Sequence, residues 1–411
     1  MLSALDRIRS TLLDTFPAMR SRDYRLYWIG AMTSFTGGWV QATTYSYLVY
    51  EITGSKQWLG LVNAVGAIPL FVLTLFAGAV ADRVNKKKAL VLTQSLSACF
   101  AVALGILVGS GHITKYHILV IAFLQGIVMA FDSPIRQSMP VHLVPKKYLT
   151  NAIVLNSAAF NTARVIGPAM GGYIAAKMGI PICFFINAAS FFAVIAALMV
   201  VKARTPPGAD LEVSLMDNLM AGLQYVWKKR VIRKIMIALT IYTMFTFPYM
   251  MLIPVFSKDI LKVGIQGNGS LLMSVGMGAL VAAVVLSTLS RISKLGRLLT
   301  VAATLGAVLL IVFANSNSFL LSRLMLIGVG FSAISFSQTC NSLIQNLADD
   351  ALRGRVMGVY TFIFMGLSPF ANYLTGYLAQ KFGAQLTVTI FGVMFLINGA
   401  FLATQRDVLK H

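Results

Sequence analysis

The chain has 411 residues, 57% of them hydrophobic and only 11% charged, and its mean hydropathy is +0.78. A soluble protein carries roughly 25% charged residues, so a water-exposed globule of this size is excluded. The net charge of +21 brings nucleic acid to mind, but its placement along the chain reads instead as a membrane-topology signal.

Apolar runs of about 20 residues recur along the whole length, and each is long enough to cross roughly 30 Å of hydrocarbon. The first, at 27–50, is too long for a cleaved signal and lies behind Arg7, Arg9, Arg20, Arg22 and Arg25. It carries Thr33, Ser34, Thr36, Trp39, Gln41, Thr43, Thr44 and Tyr45, with Glu51 just beyond. The second, 59–81, runs into Gly78-Ala79-Val80-Ala81-Asp82-Arg83, then Val84-Asn85-Lys86-Lys87-Lys88, and the third follows at 89–108. The fourth, 117–135, holds Gln125 and closes on Asp132-Ser133-Pro134-Ile135-Arg136-Gln137. The fifth, 153–176, contains Asn156, Asn161 and Arg164 and the run Gly167-Pro168-Ala169-Met170-Gly171-Gly172; the sixth is 180–201.

The longest polar stretch, 202–234, opens with the linker-like Thr205-Pro206-Pro207-Gly208. Ser214 with Asp217 fits a helix start. Leu215, Leu219, Leu223 and Val226 then recur at helical spacing before Lys228-Lys229-Arg230. Two readings are open, an amphipathic helix on the inner membrane surface or a plain connector. Six more runs follow at 235–256, 269–289, 297–314, 319–343, 356–379 and 385–403. The seventh offers Tyr242, Thr243 and Tyr249 with Pro248 and Pro254 as bends, and the tenth Ser335, Ser337, Gln338 and Asn341. Such groups orient a ligand within an apolar cavity; each one alone equally suits a hydrogen bond to a neighbouring helix.

This pattern predicts an all-α membrane protein with twelve transmembrane helices. They divide into a first half at 1–201, a linker at 202–234 and a second half at 235–411. Of the 34 Lys and Arg, 26 fall on the side of the termini, seven on the other side, and Arg164 alone lies inside a span. Cytoplasmic loops carry the excess of Lys and Arg, so both termini are expected in the cytoplasm. Gly172–Gly179 and Gly376–Gly383 match at five of eight positions, 204 residues apart, and end the fifth and eleventh spans. Parallel repeats of this kind handle substrate at their interface near mid-membrane. Cys99, Cys183 and Cys340 all fall in apolar runs and read as small core residues. His112, His117, His142 and His411 lie in loops or at the chain end, so no metal or catalytic constellation forms at membrane depth. No phosphate-cradling loop of the Gly-x4-Gly-Lys-Ser/Thr type is present, which argues against primary pumping.

The chain resembles the major facilitator superfamily, and within it the bacterial exporters that include enterobactin and macrolide efflux proteins. Four stretches carry the resemblance: Arg25–Gly30 with Gly38–Gln41; the Gly78–Lys88 loop; Asp132–Gln137 continued through Asn151-Ala152, Asn156-Ser157 and Ala163–Gly172; and Arg353–Gly358. The resemblance implies a gating network of Gly78, Asp82, Arg83, Asp132, Arg136, Arg353 and Arg355, in which the acid and arginine of the loop lock the outward-facing state. It places Asp82 at the start of the eleventh span, near Arg353 and Arg355, and makes Asp132 a partner for Arg83 or Arg136. The alternative for these charges is ordinary positive-inside loop charge. The second-half copy, Ser290–Arg297, has no acid. Gly167, Pro168, Gly171 and Gly172 resemble the span-five motif of exporters and antiporters, with Ala163 where the fuller pattern has glycine; the alternative for this run is helix packing without export meaning.

The expected function is a secondary transporter in the bacterial cytoplasmic (inner) membrane. It would export bulky amphipathic small molecules, siderophore or drug, by alternating access with proton antiport, as a monomer without a cofactor. The substrate candidates are Arg164, Gln41, Trp39, Thr36, Tyr45, Asn161, Gln125, Tyr242, Tyr249, Gln338 and Asn341. Arg164 is costly at membrane depth; it attracts an anionic or oxygen-rich substrate, or pairs with Asp132 or helix-end carbonyls. None of the thirteen acids lies near the middle of a span, which leaves Asp132 and Glu51 as proton-coupling candidates. The alternative is a lipid or anionic-metabolite transporter without proton coupling.

Overall fold

The computed structural model describes residues 15–202, 215–288 and 294–410, apart from the side chains at 74–76, 78, 79, 81, 82, 215–218, 288 and 406. The predicted linker motif Thr205–Gly208, the Ser214 cap and the segment 290–293 lie outside the described residues, as do the side chains of Gly78 and Asp82.

Helix ends follow local capping chemistry. Helix α1 (Arg22–Thr53) starts where Ser21, in extended backbone, accepts from the Tyr24 amide, and it stops at Gly54 with φ 59°. Glycine alone adopts that left-handed conformation without strain. Helix α2 (Lys56–Arg83) is capped by Ser55 on the Trp58 amide, α3 (Lys86–Gly109) by Asn85 on Lys88, and α4 (Lys115–Ser138) by Thr114 on His117. Each short polar cap satisfies an amide that the helix start leaves free. Because the caps precede the apolar runs, the helices begin a few residues before the predicted spans. Helices α5 (Leu149–Met178) and α6 (Ile180–Val200) complete the first six.

Residues of the polar stretch form a helix, α7 (Leu215–Lys228). It buries Tyr225 and Val226, whereas Leu223 of the predicted apolar stripe is 40% exposed beside Met220 and Trp227. A Cβ on Gly222 would lie 2.5 Å from the Arg355 carbonyl, so the helix is pressed onto the start of the eleventh span. The seventh span, α8 (Arg230–Ile260), is not a regular helix. It passes through a π turn at Tyr242–Thr246 and a 3-10 stretch at Phe247–Leu252. Pro248 and Pro254 each remove a backbone donor and force this re-pairing. Helices α9 (Gly264–Thr288), α10 (Leu295–Asn315) and α11 (Phe319–Leu347) follow. The eleventh span is broken before Ser368-Pro369 into α12 (Arg353–Gly366) and α13 (Ser368–Phe382), and α14 (Ala384–Thr404) ends the bundle.

No strand occurs among the described residues. Nine described segments are long and apolar enough to cross a membrane. The three further spans are α1, α5 and the α12/α13 pair; α1 and α5 carry polar residues at mid-length, and the third is interrupted. Within the first six spans α1 packs on α5 and α6, α3 on α6, and α2 on α4; within the last six α9 packs on α11, and α10 on α11 and α14. The two groups meet mainly where α5 lies on α9 and α2 on α13.

The internal repeat sits at those contacts. Gly179 and Gly383 end α5 and α13 with nearly identical backbone, φ 90° and 87°, ψ 158° and 156°. At the head of each repeat, a Cβ on Gly172 would be 2.9 Å from the Gly269 Cα, and one on Gly376 would be 2.7 Å from the Gly60 Cα. Bare glycine on both partners lets the helix backbones touch.

Candidate functional site

A cavity of about 1050 Å³ is lined by side chains of α1 to α6. It reaches Arg136, Gln137 and Pro140 at the terminus-side end of α4 and extends inward past Gln125 and Gln41 to Tyr45. Its charged centre is Asp132, 3% exposed. One carboxylate oxygen accepts from Thr93 Oγ1 and Gln94 Nε2, both at 2.7 Å, and the other from Arg136 Nε at 3.0 Å. A buried carboxylate needs this full set of donors to stay compensated. The Arg136 guanidinium is also 5.4 Å from the Phe35 ring centroid, and the Tyr27 hydroxyl donates to the Arg136 carbonyl at 3.2 Å. Arg136 Nη1 and Gln94 Oε1 remain buried without partners.

Deeper in the bundle, the Arg164 guanidinium lies 5.9 Å from the centroid of Trp39, which lines the cavity. Its Nε is buried without an acceptor, and so is the hydroxyl of Tyr249 from α8. A Cβ on Gly276 of α9 would lie 2.6 Å from the Arg164 carbonyl, and the adjacent Val275 shares an apolar cluster with Tyr249, so residues of the first and last six spans meet at this level.

On the side opposite the termini the two groups of spans are held together. The Tyr50 hydroxyl donates to Asp259. Asn268 Nδ2 donates to the Thr43 carbonyl at 3.2 Å, and the Lys56 amide donates to Gln380 Oε1 at 2.9 Å. The two glycine pairs lie on this side as well.

The structure distributes the predicted residues unevenly. Trp39, Gln41, Tyr45, Gln125, Asn161, Asp132 and Arg136 share the cavity. Most of their polar groups are satisfied by protein: Gln41 Oε1 accepts from Asn187, Gln125 donates to Ser97, the Tyr45 hydroxyl donates to the Ile118 carbonyl, and Asn161 to the Ser157 carbonyl. Thr36 donates to the Met32 carbonyl one turn back. Tyr242 is buried between Phe336 and Phe395, Gln338 is exposed, and Asn341 accepts from Gln345 at 2.6 Å. Gly167 and Gly171 face α1, where a Cβ would meet Trp39 Cβ at 2.4 Å and the Val40 carbonyl at 2.9 Å, while the Pro168 carbonyl and Gly172 face α9. Arg353 pairs with Asp350, and Arg355 is exposed. Glu51 is exposed at the end of α1. Thr93, Gln94, Tyr50, Asp259 and Asn268 were absent from the predicted set; a polar residue in an apolar run was the available signal for Gln94, whereas Asn268 lies just ahead of the run that starts at 269.

The model of the family described as transmembrane secretion effector, a major facilitator group, matches residues 13–409. The chain belongs to this family. It is similar to the multidrug efflux pump Tap of Mycolicibacterium fortuitum, 26% identical over 92% of this chain and 95% of the pump. It is equally similar to the staphyloferrin A transporter of Staphylococcus aureus, 26% identical over 87% and 90%. A bacterial homologue of the human lysosomal transporter Spinster, solved inward-facing and unoccupied, shares the fold with a TM-score of 0.75 at 12% identity, covering 94% of this chain and 98% of that one. The protein is thus a multi-pass inner-membrane transporter and not an enzyme.

Proposed function

We propose that this protein exports bulky amphipathic small molecules, siderophores or drugs, by alternating access with proton antiport. In this reading it works as a monomer with halves at 1–201 and 235–411, a linker at 202–234, and both termini in the cytoplasm. The observation that carries it is where, among the described residues, the two groups of spans are tied together by hydrogen bonds and glycine pairs, set against where the cavity lies. Tyr50–Asp259, Asn268–Thr43 and the glycine pairs lie opposite the termini, whereas the polar cavity reaches the terminus-side end of α4. That asymmetry fits a state that loads from the cytoplasm and has yet to open outward. Relatives named for multidrug efflux and for staphyloferrin A transport support the substrate class. Asp132, inside the cavity, is the stronger of the two proton-coupling candidates, because Glu51 is exposed beyond it.

The test is substrate-driven proton flux in proteoliposomes, with siderophores and cationic and anionic drugs, read by an internal pH dye. Proton movement tied to one class supports antiport. Substrate movement without a proton signal removes antiport and leaves alternating access. No movement of any substrate by folded protein overturns the transport reading. A second reading, transport of a lipid or anionic metabolite without proton coupling, is favoured by Arg164, whose buried Nε has no acceptor among the described residues.

A further inference from the structure

Arg164 on α5 and Tyr249 on α8 bring two buried hydrogen-bond donors, Nε–H and the phenolic O–H, to the boundary between the first and last six spans. Neither has an acceptor. A buried donor left unpaired is costly, and one that belongs to a charged group more so. Among the acids whose side chains are described, Asp132 pairs with Arg136, Asp259 with Tyr50, Asp349 with Lys229, Asp350 with Arg353 and Asp407 with Lys234, and none is paired with Arg164. The Trp39 ring lies 5.9 Å from the guanidinium carbon. A ring contact can steady a guanidinium while its N–H fork stays free for a planar oxyanion. Two donors without an acceptor, one from each group of spans, describe half of a binding site whose other half is acceptor-rich and negatively charged.

We propose that Arg164 and Tyr249 form an oxyanion subsite, and that the substrate class is an amphipathic molecule bearing a carboxylate or phosphate rather than a cation. This rests on the transporter reading and narrows it. Trp39 and Phe160, their rings 6.1 Å apart at the cavity wall, offer the apolar body of such a molecule a surface beside its charged end. Because the two donors come from both groups of spans, an anion held between them also ties its own binding to their relative position.

The test uses the full-length protein in nanodiscs of phosphatidylcholine and two probes, dansyl-labelled undecanoic acid and its methyl ester, followed by energy transfer from tryptophan. The acid is expected to bind about ten- to hundredfold tighter than the ester, the range of a charge-assisted hydrogen bond. Arg164→Gln abolishes the difference, and Tyr249→Phe weakens the acid severalfold with the ester unchanged. Equal binding of acid and ester by the wild type overturns the proposal, as does an acid preference that survives Arg164→Gln. Should Arg164→Gln fail to fold, Tyr249→Phe decides: unchanged acid affinity overturns the subsite. Adding phosphatidylglycerol separates the two oxyanion sources, since competition with the probe assigns the subsite to a lipid phosphate and its absence to a diffusing carboxylate. Vesicle assays keep the two readings apart. Gradient-driven movement of the ester or of ethidium with no acid preference overturns the subsite and leaves the transporter; acid-selective binding with no movement of any probe does the reverse.

Discussion

The Tyr50 hydroxyl donates a hydrogen bond to the Asp259 carboxylate, joining the end of α1 to the end of α8 across 209 residues of sequence. Lys258 adds a cation 5.8 Å from the Tyr50 ring centroid. Under the proposed export by alternating access the contact acts as a latch, because it links the two groups of spans on the face that must part if substrate is to leave opposite the termini. A hydrogen bond to a charged group contributes about 1.5–3 kcal/mol. Tyr50→Phe is therefore expected to shift the equilibrium toward the open state by roughly tenfold or more. A cysteine at Ser257, which is fully buried beside the latch, reports this once Cys99, Cys183 and Cys340 are replaced. Its labelling by an impermeant maleimide should accelerate in the Tyr50→Phe background; an unchanged rate removes the latch.

The glycine pairs Gly172–Gly269 and Gly60–Gly376 make a related prediction with a steric cause. A Cβ on Gly60 would lie 2.7 Å from the Asn372 carbonyl and 2.8 Å from the Gly376 Cα. Backbone cannot give way there as a flexible side chain would. Overpacking costs about 1–3 kcal/mol, so Gly60→Val or Gly269→Val should disfavour the closed contact by roughly 5- to 150-fold. Substrate efflux falls, and the Ser257 cysteine becomes reactive as in the latch variant. Gly109→Ala, where a Cβ meets Pro181 at an ordinary 3.7 Å, serves as the control and should transport normally.

The end of the chain is tied back to the seventh span by a pH-sensitive contact. Lys234 Nζ lies 2.8 and 2.7 Å from the two Asp407 carboxylate oxygens, and Arg230 Nε is 4.0 Å away. The hydrogen bond from Lys234, helped by its charge, holds the Asp407 carboxyl below its usual value of 3.8. A lowered folded-state pKa means that the contribution is fully present above the ordinary value and lost as pH falls through the folded one. Asp407 is 35% exposed, so screening limits the effect to about 0–1 kcal/mol. Asp407→Asn should lower the melting temperature slightly at neutral pH and show no difference from wild type at pH values below the folded pKa. A gap that persists undiminished in acid assigns the contact's value to something other than the charge.

Much of the bundle was legible because an apolar run of membrane length has few alternatives to a helix. The ends were displaced where caps such as Ser55 and Asn85 lie outside the run and so carry no hydropathy signal. The break in the eleventh span was invisible, since Leu367 and Pro369 do not interrupt the apolar pattern that Pro369 interrupts structurally. Gly172 and Gly376 were legible as a repeat, but their partners were not: among 33 glycines, nothing local marks Gly269 or Gly60. Arg164 announced itself by cost, being a charge at membrane depth. The latch did not, because neither Tyr50 nor Asp259 is unusual at a span end until folding brings them together. Leu223 fitted the apolar stripe of α7 yet faces outward, since packing on α12 is decided by Gly222 rather than by hydrophobic spacing.

Asp132 tests whether the cavity's charged centre serves structure or coupling. Its carboxylate is 4% exposed and its partner Arg136 12% exposed, so removing one charge strands the other. Breaking such a pair costs about 3–5 kcal/mol, whereas replacing both partners costs far less. Asp132→Asn keeps acceptors for Thr93 and Gln94 but leaves Arg136 uncompensated, and it should lower the melting temperature sharply. Arg136→Gln should lower it as well, because a buried carboxylate is then unpaired. The double variant Asp132→Asn with Arg136→Gln should recover much of the loss, giving a coupling energy of about 1–3 kcal/mol in a double-mutant cycle. Stability and coupling then separate cleanly. A double variant that is stable and still moves substrate without proton flux assigns coupling to Asp132, whereas one that retains substrate-driven proton flux in proteoliposomes excludes this carboxylate as the carrier.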